Sequence, residues 1–576
     1  MKTKAISEST IRRSYAMRSW CAAAVLSLCA AVLIGRSFHL QVLENSFLTQ
    51  QADVRHLRVA KIAAHRGTIT DRNGEPLAVS TPVDSVWVNP RELVKAPDRI
   101  PQLANALQLD PDKLASRLTR NVDKEFMYLR RHMTPPDAQQ IAELRIPGVA
   151  LQREYRRYYP AGEVAGHLIG FTNIDDEGQE GLELAFDRWL IGKPGKKRVL
   201  QDRLGRVVEV VERIKSPSPG RELAASIDLR IQYLAYRELK AAIQHHSARS
   251  GSVVVLDVTT GEVLAMVNQP AYNPNDRSQY VASRYRNRAI TDMFEPGSSI
   301  KPLIIAAALE SGRYNTNSRV DTSPGFVKIG AKVIEDKENH GRIDLETILV
   351  RSSNVGVTKV AMSLPPESLY SVLSGFGLGR LSASGFPGES SGLLSHYSNW
   401  RSISQATLAY GYGLSVTPVQ LAQAYSVIAA DGLYRPVSLL RIDEKPIARQ
   451  VIKPQTAHSV MSMLEAVVGP DGTGKRATVA GYRVAGKTGT VKKYAPGGYS
   501  EKRYIALFSG IVPVSQPRLV VVVLIDEPSD GDYYGGQVAA PVFSSISAGA
   551  LRILAIAPDN LPRPIKGPMT LAVNLR

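Results

Sequence analysis

The chain has 576 residues, 44% of them hydrophobic and 22% charged, and a formal net charge of +18. The length exceeds one ordinary core and predicts two or three domains, and the composition excludes a disordered or collagen-like chain. The positive charge invites an anionic partner, but Lys and Arg are spread along the chain with no basic block or RNA-binding signature, which argues against nucleic acid.

From the N-terminus, SWCAAAVLSLCAAVLIG (Ser19 to Gly35) carries no charge, and Lys2, Lys4, Arg12, Arg13 and Arg18 precede it. The run can span a membrane if Arg18 and Arg36 snorkel at its ends. A cleaved signal peptide would show a shorter apolar region and a small-residue cleavage site. GRSFHL follows instead, so an uncleaved signal anchor over residues 19–36 is expected, with residues 1–18 cytoplasmic and the remainder exported. Both cysteines, Cys21 and Cys29, lie inside this segment. An oxidising compartment permits disulfides but does not require them in a large domain.

Residues 37–63 read as polar and partly helical. In AHRGTITDRNGEPLAVS, the pair Asn73-Gly74 between alternating apolar residues predicts a tight hairpin. IPQLANALQL and DAQQIAELRI carry helical periodicity within residues 100–146, and a turn-rich stretch runs from Arg153 to Glu183. The densest cationic run, KPGKKR from Lys193 to Arg198, is read as a solvated loop, with attraction to an anionic membrane surface if the chain is membrane-bound. Pro217 and Pro219 place a domain boundary near residue 220.

Beyond it, GSVVVLDVTTGEVLAMVNQ (251–269) predicts a hairpin around a Thr-Gly turn. FEPGSSIKPLIIAAALESG (294–312) predicts a helix apolar on every side, hence buried, ending at Gly312. YRVAGKTGTVKKY, YIALFSGIVP and RLVVVVLIDEP predict three strands, and APVFSSISAGALRILAI a closing helix. Strands at both ends with helices between them predict an α/β (α+β) domain of about 330 residues on an antiparallel sheet.

Within the buried helix, two serines precede a lysine. Residues three apart share a helix face and residues two apart do not, so Ser298, not Ser299, meets Lys301. A serine hydroxyl is a weak nucleophile until a base takes its proton, and a lysine can be that base if burial or neighbouring cations lower its pKa. Alone, Ser-x-x-Lys reads equally as a helix cap beside a snorkelling lysine. Two further stretches change that balance. RSSNVG sets Ser352 and Asn354 in Ser-x-Asn spacing, and GKTGT sets Lys487, Thr488, Gly489 and Thr490 on a predicted strand. A glycine there lets a ligand approach the backbone, and a strand edge flanked by Lys and Thr suits a peptide ending in a carboxylate. The ordered trio is the signature of penicillin-binding proteins and serine β-lactamases.

Three other patterns carry less. GPDGTGKR (Gly469 to Arg476) nearly matches a P-loop, but Arg476 stands where the magnesium-binding hydroxyl belongs and a helical stretch precedes it. NIDDEGQEGLE imitates a calcium loop with Leu184 at the final ligand position, and reads as a turn. His245-His246 lacks a second ligand pair at metal spacing. No metal or cofactor is expected.

With these motifs in place, the chain resembles a class B penicillin-binding protein, most closely the septal type of Gram-negative bacteria. RGTITDRNGEPLA, RRYYPAGEVAGHLIGF and GQEGLE are similar to the non-catalytic N-terminal module of that class. FEPGSSIKP, RSSNVG, YGYGLSVTPVQLAQAY (410–425) and AGKTGT are similar to its transpeptidase domain. The resemblance implies a transpeptidase fold, an antiparallel sheet with helices on both faces, preceded by an elongated α+β module and one transmembrane helix. The expected divisions are a module over 37–220, a transpeptidase domain over 221–557 and a loosely ordered tail over 558–576.

The resemblance also implies roles. Ser298 would attack the D-Ala-D-Ala carbonyl of a stem peptide, and Lys301 would take its proton. Ser352, held with Asn354, would relay a proton to the leaving amine, with Lys487 as electrostatic support. Thr488, Gly489, Thr490 and Tyr412 would bind substrate, and the backbone N–H groups of Ser298 and Thr490 would form the oxyanion hole. β-Lactams would acylate the same serine. The implied setting is the periplasmic side of the inner membrane, with a SEDS-family glycosyltransferase and other divisome proteins as partners. The alternatives are a carboxypeptidase or β-lactamase, and a non-catalytic sensor or scaffold. No E-x-x-L-N stretch of the class A β-lactamases lies between Asn354 and Lys487, and a sensor would carry further membrane spans.

Overall fold

The computed structural model describes residues 8–43, 57–201, 207–276, 278 and 281–561. They fall into two compact units. The first takes in residues up to Ala64, Pro82–Glu154 and Lys193–Ser218; the second takes in His65–Thr81, Tyr155–Gly192 and Pro219 onward. The tail expected to be loosely ordered lies, from residue 562, outside the described residues.

In the first unit, helix α1 (Glu8–Phe38) runs through the apolar segment, and the stretch Tyr15–Leu43 is long and apolar enough to cross a membrane, with none of it buried by protein. Residues 37–63 are partly helical, as expected: a π-helical turn occupies His39–Leu43, residues 44–56 lie outside the described residues, and strand β1 (Leu57–Ile62) follows. β1 pairs antiparallel with β2 (Gly195–Gln201), which pairs with β3 (Val207–Lys215). KPGKKR therefore enters a strand and is not a loop. Its period of two is hidden by the run of cations: Val199 is fully buried while Lys196 and Arg198 face outward. The predicted helical stretch is present as Ile100–Ala106, Pro111–Arg120 and Pro135–Glu143, whose Leu103, Leu114, Leu118 and Ile141 share one core.

In the second unit, the Asn73-Gly74 hairpin forms as predicted, Gly74 taking φ +93°. Three of the quoted stretches converge on one buried carboxylate. Glu183 of GQEGLE accepts from Arg66 Nε and Arg157 Nε, each at 2.6 Å, and Arg66 also pairs with Asp187 at 2.7 Å. Arg157 Nη2 donates to Gly67 O at 2.7 Å, so the charges are hydrogen-bonded as well as paired, the condition for keeping them out of water. NIDDEGQ forms a turn in which Asn173 Oδ1 accepts the N–H groups of Asp175 and Glu177.

The rest of this unit is built from helix α2 (Leu229–His245), strands β4 (Ser250–Asp257) and β5 (Val263–Gln269), helices α3 (Lys301–Glu310), α4 (Asn354–Met362), α5 (Pro418–Ala429) and α6 (Pro454–Val468), strands β6 (Ala485–Ala495), β7 (Gly498–Val512) and β8 (Leu519–Asp526), and helix α7 (Gly535–Ile553). The strands form one antiparallel sheet in the order β5-β4-β8-β7-β6, which leaves β6 at an edge. Alternation splits each strand between two cores. Val253, Val255, Phe508, Val521 and Val523 face α2 and α7 on one side, and Val254, Leu256, Val520 and Val522 join α3, α5 and α6 on the other. Helices thus cover both faces, as expected. α7 starts earlier than the Pro-led helix expected from APVF, and Pro541 lies within it. Two glycines allow the early start: a Cβ on Gly535 would stand 2.2 Å from Gly489 O, so only glycine lets the helix begin against β6.

Candidate active site

The turn carrying Ser298 is tighter than the expected α-helix. Gly297–Ile300 is a 3-10 turn that leads into α3, and Lys301 N–H donates to Ser298 O. In such a turn residues three apart eclipse, so Ser298 and Lys301 lie on one face. Ser299 is fully buried and its hydroxyl donates to Pro296 O at 2.6 Å, whereas Ser298 is only half-buried. The two serines separate as spacing predicted. The turn is held by a backbone contact with the YGYG loop: Gly297 N donates to Gly411 O at 3.1 Å, and a Cβ on Gly411 would stand 2.1 Å from Gly297 O.

Lys301 is fully buried. Its Nζ donates to Asn354 Oδ1 at 2.8 Å and to Ser352 O at 2.5 Å, and lies 3.3 Å from Ser352 Oγ. Burial, with Lys487 as a second cation nearby, holds its pKa well below the usual lysine range, against the opposing pull of Asp336. Lys487 is also fully buried, and burial pushes it down to about 7. Its Nζ lies 3.1 Å from Ser352 Oγ and 3.2 Å from Thr488 O. The Ser352 hydroxyl therefore sits between two amines that burial drives toward neutrality. Ser352 adopts φ +56°, which turns the chain between the helix Leu345–Val350 and α4 and aims the carbonyl at Lys301. For a non-glycine residue this conformation carries strain of about 1–3 kcal/mol and clusters at functional sites.

Sequence reading missed the group that holds the Ser-x-Asn stretch. Asp336 Oδ1 accepts from Asn354 N at 2.5 Å and Val355 N at 3.1 Å, and Oδ2 accepts from Ser353 Oγ. Ser353 itself caps α4 by accepting from Gly356 N. A carboxylate on the first turn of a helix meets free N–H groups and the positive end of its dipole. Asp336 comes far ahead of the helix in sequence, so no local spacing revealed it.

On the opposite wall, β6 presents Thr488 and Thr490 from the sheet edge. Thr488 Oγ1 donates to Thr473 Oγ1 at 3.0 Å, and Gly535 N, at the start of α7, donates to Thr490 Oγ1 at 3.0 Å. Thr473 was hidden inside the P-loop look-alike, whose loop lines this strand. Tyr412 stands at the near end: its hydroxyl accepts from Lys492 N at 3.4 Å and its ring meets Tyr499 edge-on at 5.1 Å. Glu295 ties that corner together by accepting from Tyr499 Oη at 3.0 Å and Gly413 N at 2.9 Å. A Cβ on Gly489 would stand 3.1 Å from the Leu507 side chain and 3.3 Å from Pro296 O, so this glycine answers to packing between strand and turn. The structure thus joins Lys301, Ser352, Asn354 and Lys487 through one set of hydrogen bonds, with Ser298 on the 3-10 turn that leads to Lys301.

Residues 251–548 match the model of the penicillin binding protein transpeptidase domain, and residues 61–225 match that of the penicillin-binding protein dimerisation domain. The chain is 45% identical over 539 residues to the peptidoglycan D,D-transpeptidase FtsI of Escherichia coli K12, covering 93% of this chain and 91% of that protein. It is 43% identical to the probable peptidoglycan D,D-transpeptidase PbpC of Pseudomonas aeruginosa, covering 96% of this chain and 98% of that one. Among solved structures, the apo transpeptidase domain of Burkholderia pseudomallei penicillin-binding protein 3 superposes with a TM-score of 0.54 at 44% identity, covering 59% of this chain and 98% of its own.

Proposed function

The chain belongs to the class B penicillin-binding proteins, and on that premise we propose that it is a peptidoglycan D,D-transpeptidase that cross-links stem peptides through an acyl-enzyme on Ser298. The observation that carries the reading is the Ser352 hydroxyl set 3.3 Å from Lys301 Nζ and 3.1 Å from Lys487 Nζ, both amines fully buried.

The chemistry follows from that placement. A stem peptide lies extended along the free edge of β6, with its terminal carboxylate at the Thr488 and Thr490 hydroxyls. Lys301, whose pKa burial and Lys487 lower, takes the Ser298 proton as Oγ attacks the carbonyl carbon of the penultimate D-alanine. Charge developing on the carbonyl oxygen is met by the N–H groups of Ser298 and Thr490, each such donor contributing about 3 kcal/mol. The proton passes from Lys301 through Ser352 Oγ to the leaving amine, the C–N bond breaks, and D-alanine departs. An amine from a neighbouring stem peptide then attacks the ester, returns its proton by the same relay and restores Ser298. Asn354 orients Lys301, and Tyr412 borders the peptide. β-Lactams enter the same path and stay bound as esters.

The proposed setting follows the family. The chain is anchored by residues 19–36 with residues 1–18 in the cytoplasm, and a module over 37–220 and a transpeptidase domain over 221–557 stand in the periplasm. There it acts at the division septum beside a SEDS-family glycosyltransferase and other divisome proteins. The test is mass spectrometry of the full chain in detergent with a labelled penicillin. One stable adduct on Ser298 is expected, lost in Ser298→Ala and kept in Ser299→Ala. Rapid turnover of the penicillin would assign a hydrolase instead, and no adduct at all a scaffold.

A further inference from the structure

Lys337 lies on the segment that follows Asp336, so it belongs to the wall of the cleft that carries Ser352 and Asn354. It reaches across to the other wall. Its Nζ stands 4.5 Å from the centroid of the Tyr534 ring and 3.3 Å from the Tyr534 hydroxyl. Tyr534 immediately precedes Gly535, whose N–H donates to Thr490 Oγ1. The aromatic side of this contact is itself braced: Tyr533 stacks on Tyr504 at 4.3 Å, and the Tyr533 and Tyr534 hydroxyls lie 3.1 Å apart.

Two features set Lys337 apart from an ordinary surface lysine. Carboxylates flank it in sequence at Glu335, Asp336 and Glu338, yet it pairs with none of them among the described residues. Asp336 is committed to the N-terminus of α4, and Glu338 lies 3.7 Å from His340. The lysine rests instead on the ring and hydroxyl of Tyr534. Its resting place also adjoins the threonine proposed to receive a carboxylate, through a single residue: Tyr534 is bonded to Gly535, whose N–H donates to Thr490 Oγ1 at 3.0 Å. The flexible four-carbon stem of a lysine lets a compact point charge swing off the ring, which a planar guanidinium does less readily.

We propose that Lys337 is a cationic latch on the cleft: it parks on Tyr534 when the cleft is free and turns to pair with the carboxylate of the incoming acyl donor. This rests on the transpeptidase reading above and adds to it a group that selects for the free acid. The resting contact is weak enough to open, since an exposed cation–π contact changes a population by at most about fivefold. Pairing with the carboxylate takes the cation off the ring. No covalent step is involved.

The test measures the second-order rate of acylation of the full chain in detergent, using benzylpenicillin and its methyl ester, in which the carboxylate is masked. Lys337→Met is expected to slow acylation by the free acid about three- to fivefold, with a weaker salt dependence, and to leave the ester unchanged. Tyr534→Leu, which removes the parking place, is expected to match or exceed the wild-type rate on the acid. Lys337→Arg should retain part of the effect. Equal rates for wild type and Lys337→Met on the acid would overturn the latch, as would an equal slowing on acid and ester, which marks a merely structural contact. Failure of the wild type to be acylated at all would instead remove the transpeptidase reading on which the latch rests.

Discussion

Asp336→Asn separates two roles that the structure gives one carboxylate. The substitution keeps the shape and one acceptor oxygen, which can still receive the N–H groups of Asn354 and Val355, but it removes the negative charge from the first turn of α4. A charge at a helix N-terminus contributes about 0.3–2 kcal/mol, and charge-assisted hydrogen bonds are about twice as strong as neutral ones. The expected loss in unfolding free energy is therefore about 1–3 kcal/mol, read from denaturant midpoints. The same charge favours the protonated form of Lys301, opposing burial and Lys487. Acylation needs the neutral amine, so its rate rises with pH as Lys301 gives up its proton. Without Asp336 the charge that held that proton is gone, the Lys301 pKa falls further, and the rising limb moves to lower pH. Stopped-flow acylation with a chromogenic β-lactam across pH, beside the midpoints, gives both readouts. A limb that stays in place or moves to higher pH while stability drops would refute the electrostatic role and leave Asp336 as a helix cap alone.

Three further substitutions probe other contacts. Gly411→Ala places a Cβ 2.1 Å from Gly297 O at a residue with φ +89°; overpacking and left-handed strain together predict a loss of about 3 kcal/mol and slower acylation, and unchanged melting would show that the loop yields without displacing the Ser298 turn. Glu183→Gln leaves the buried Arg66 and Arg157 without their shared carboxylate, and the unfolding free energy is expected to fall by about 3–5 kcal/mol; a fall under about 1 kcal/mol would show that the cluster relaxes or admits water. Lys487→Met tests linkage. The folded Lys487 titrates at about 7 and the unfolded one at 10.5, so between those values the unfolded chain holds a proton that the folded chain lacks. Stability should rise with pH across that window, by up to about 1.4 kcal/mol per pH unit for this group, and the rise should shrink in Lys487→Met; equal slopes in the two chains would refute the depressed pKa.

The sequence by itself determined the elements whose signals are local. Unbroken runs of β-branched valine in GSVVVLDVTTGEVLAMVNQ and RLVVVVLIDEP specify strands buried on both faces, because branched side chains pack well on a pleated surface. An uncharged run at the N-terminus specifies a helix able to cross a membrane, because no local feature interrupts it. Three-residue spacing distinguishes Ser298 from Ser299 in an α-helix and in the observed 3-10 turn alike, because residues three apart share a face in both. Cationic side chains mask the period of two in KPGKKR, and only pairing with β1 and β3 makes β2 a strand.

Only the tertiary structure decided which distant groups meet. Asp336 holds Asn354, Thr473 meets Thr488, and Gly411 seats the Ser298 turn, each across a separation in sequence that no periodicity measures. The character of the two lysines is tertiary as well. Lys301 and Lys487 are ordinary ammonium groups in an unfolded chain, and it is the removal of water by helices and sheet folded around them that lowers their pKa values.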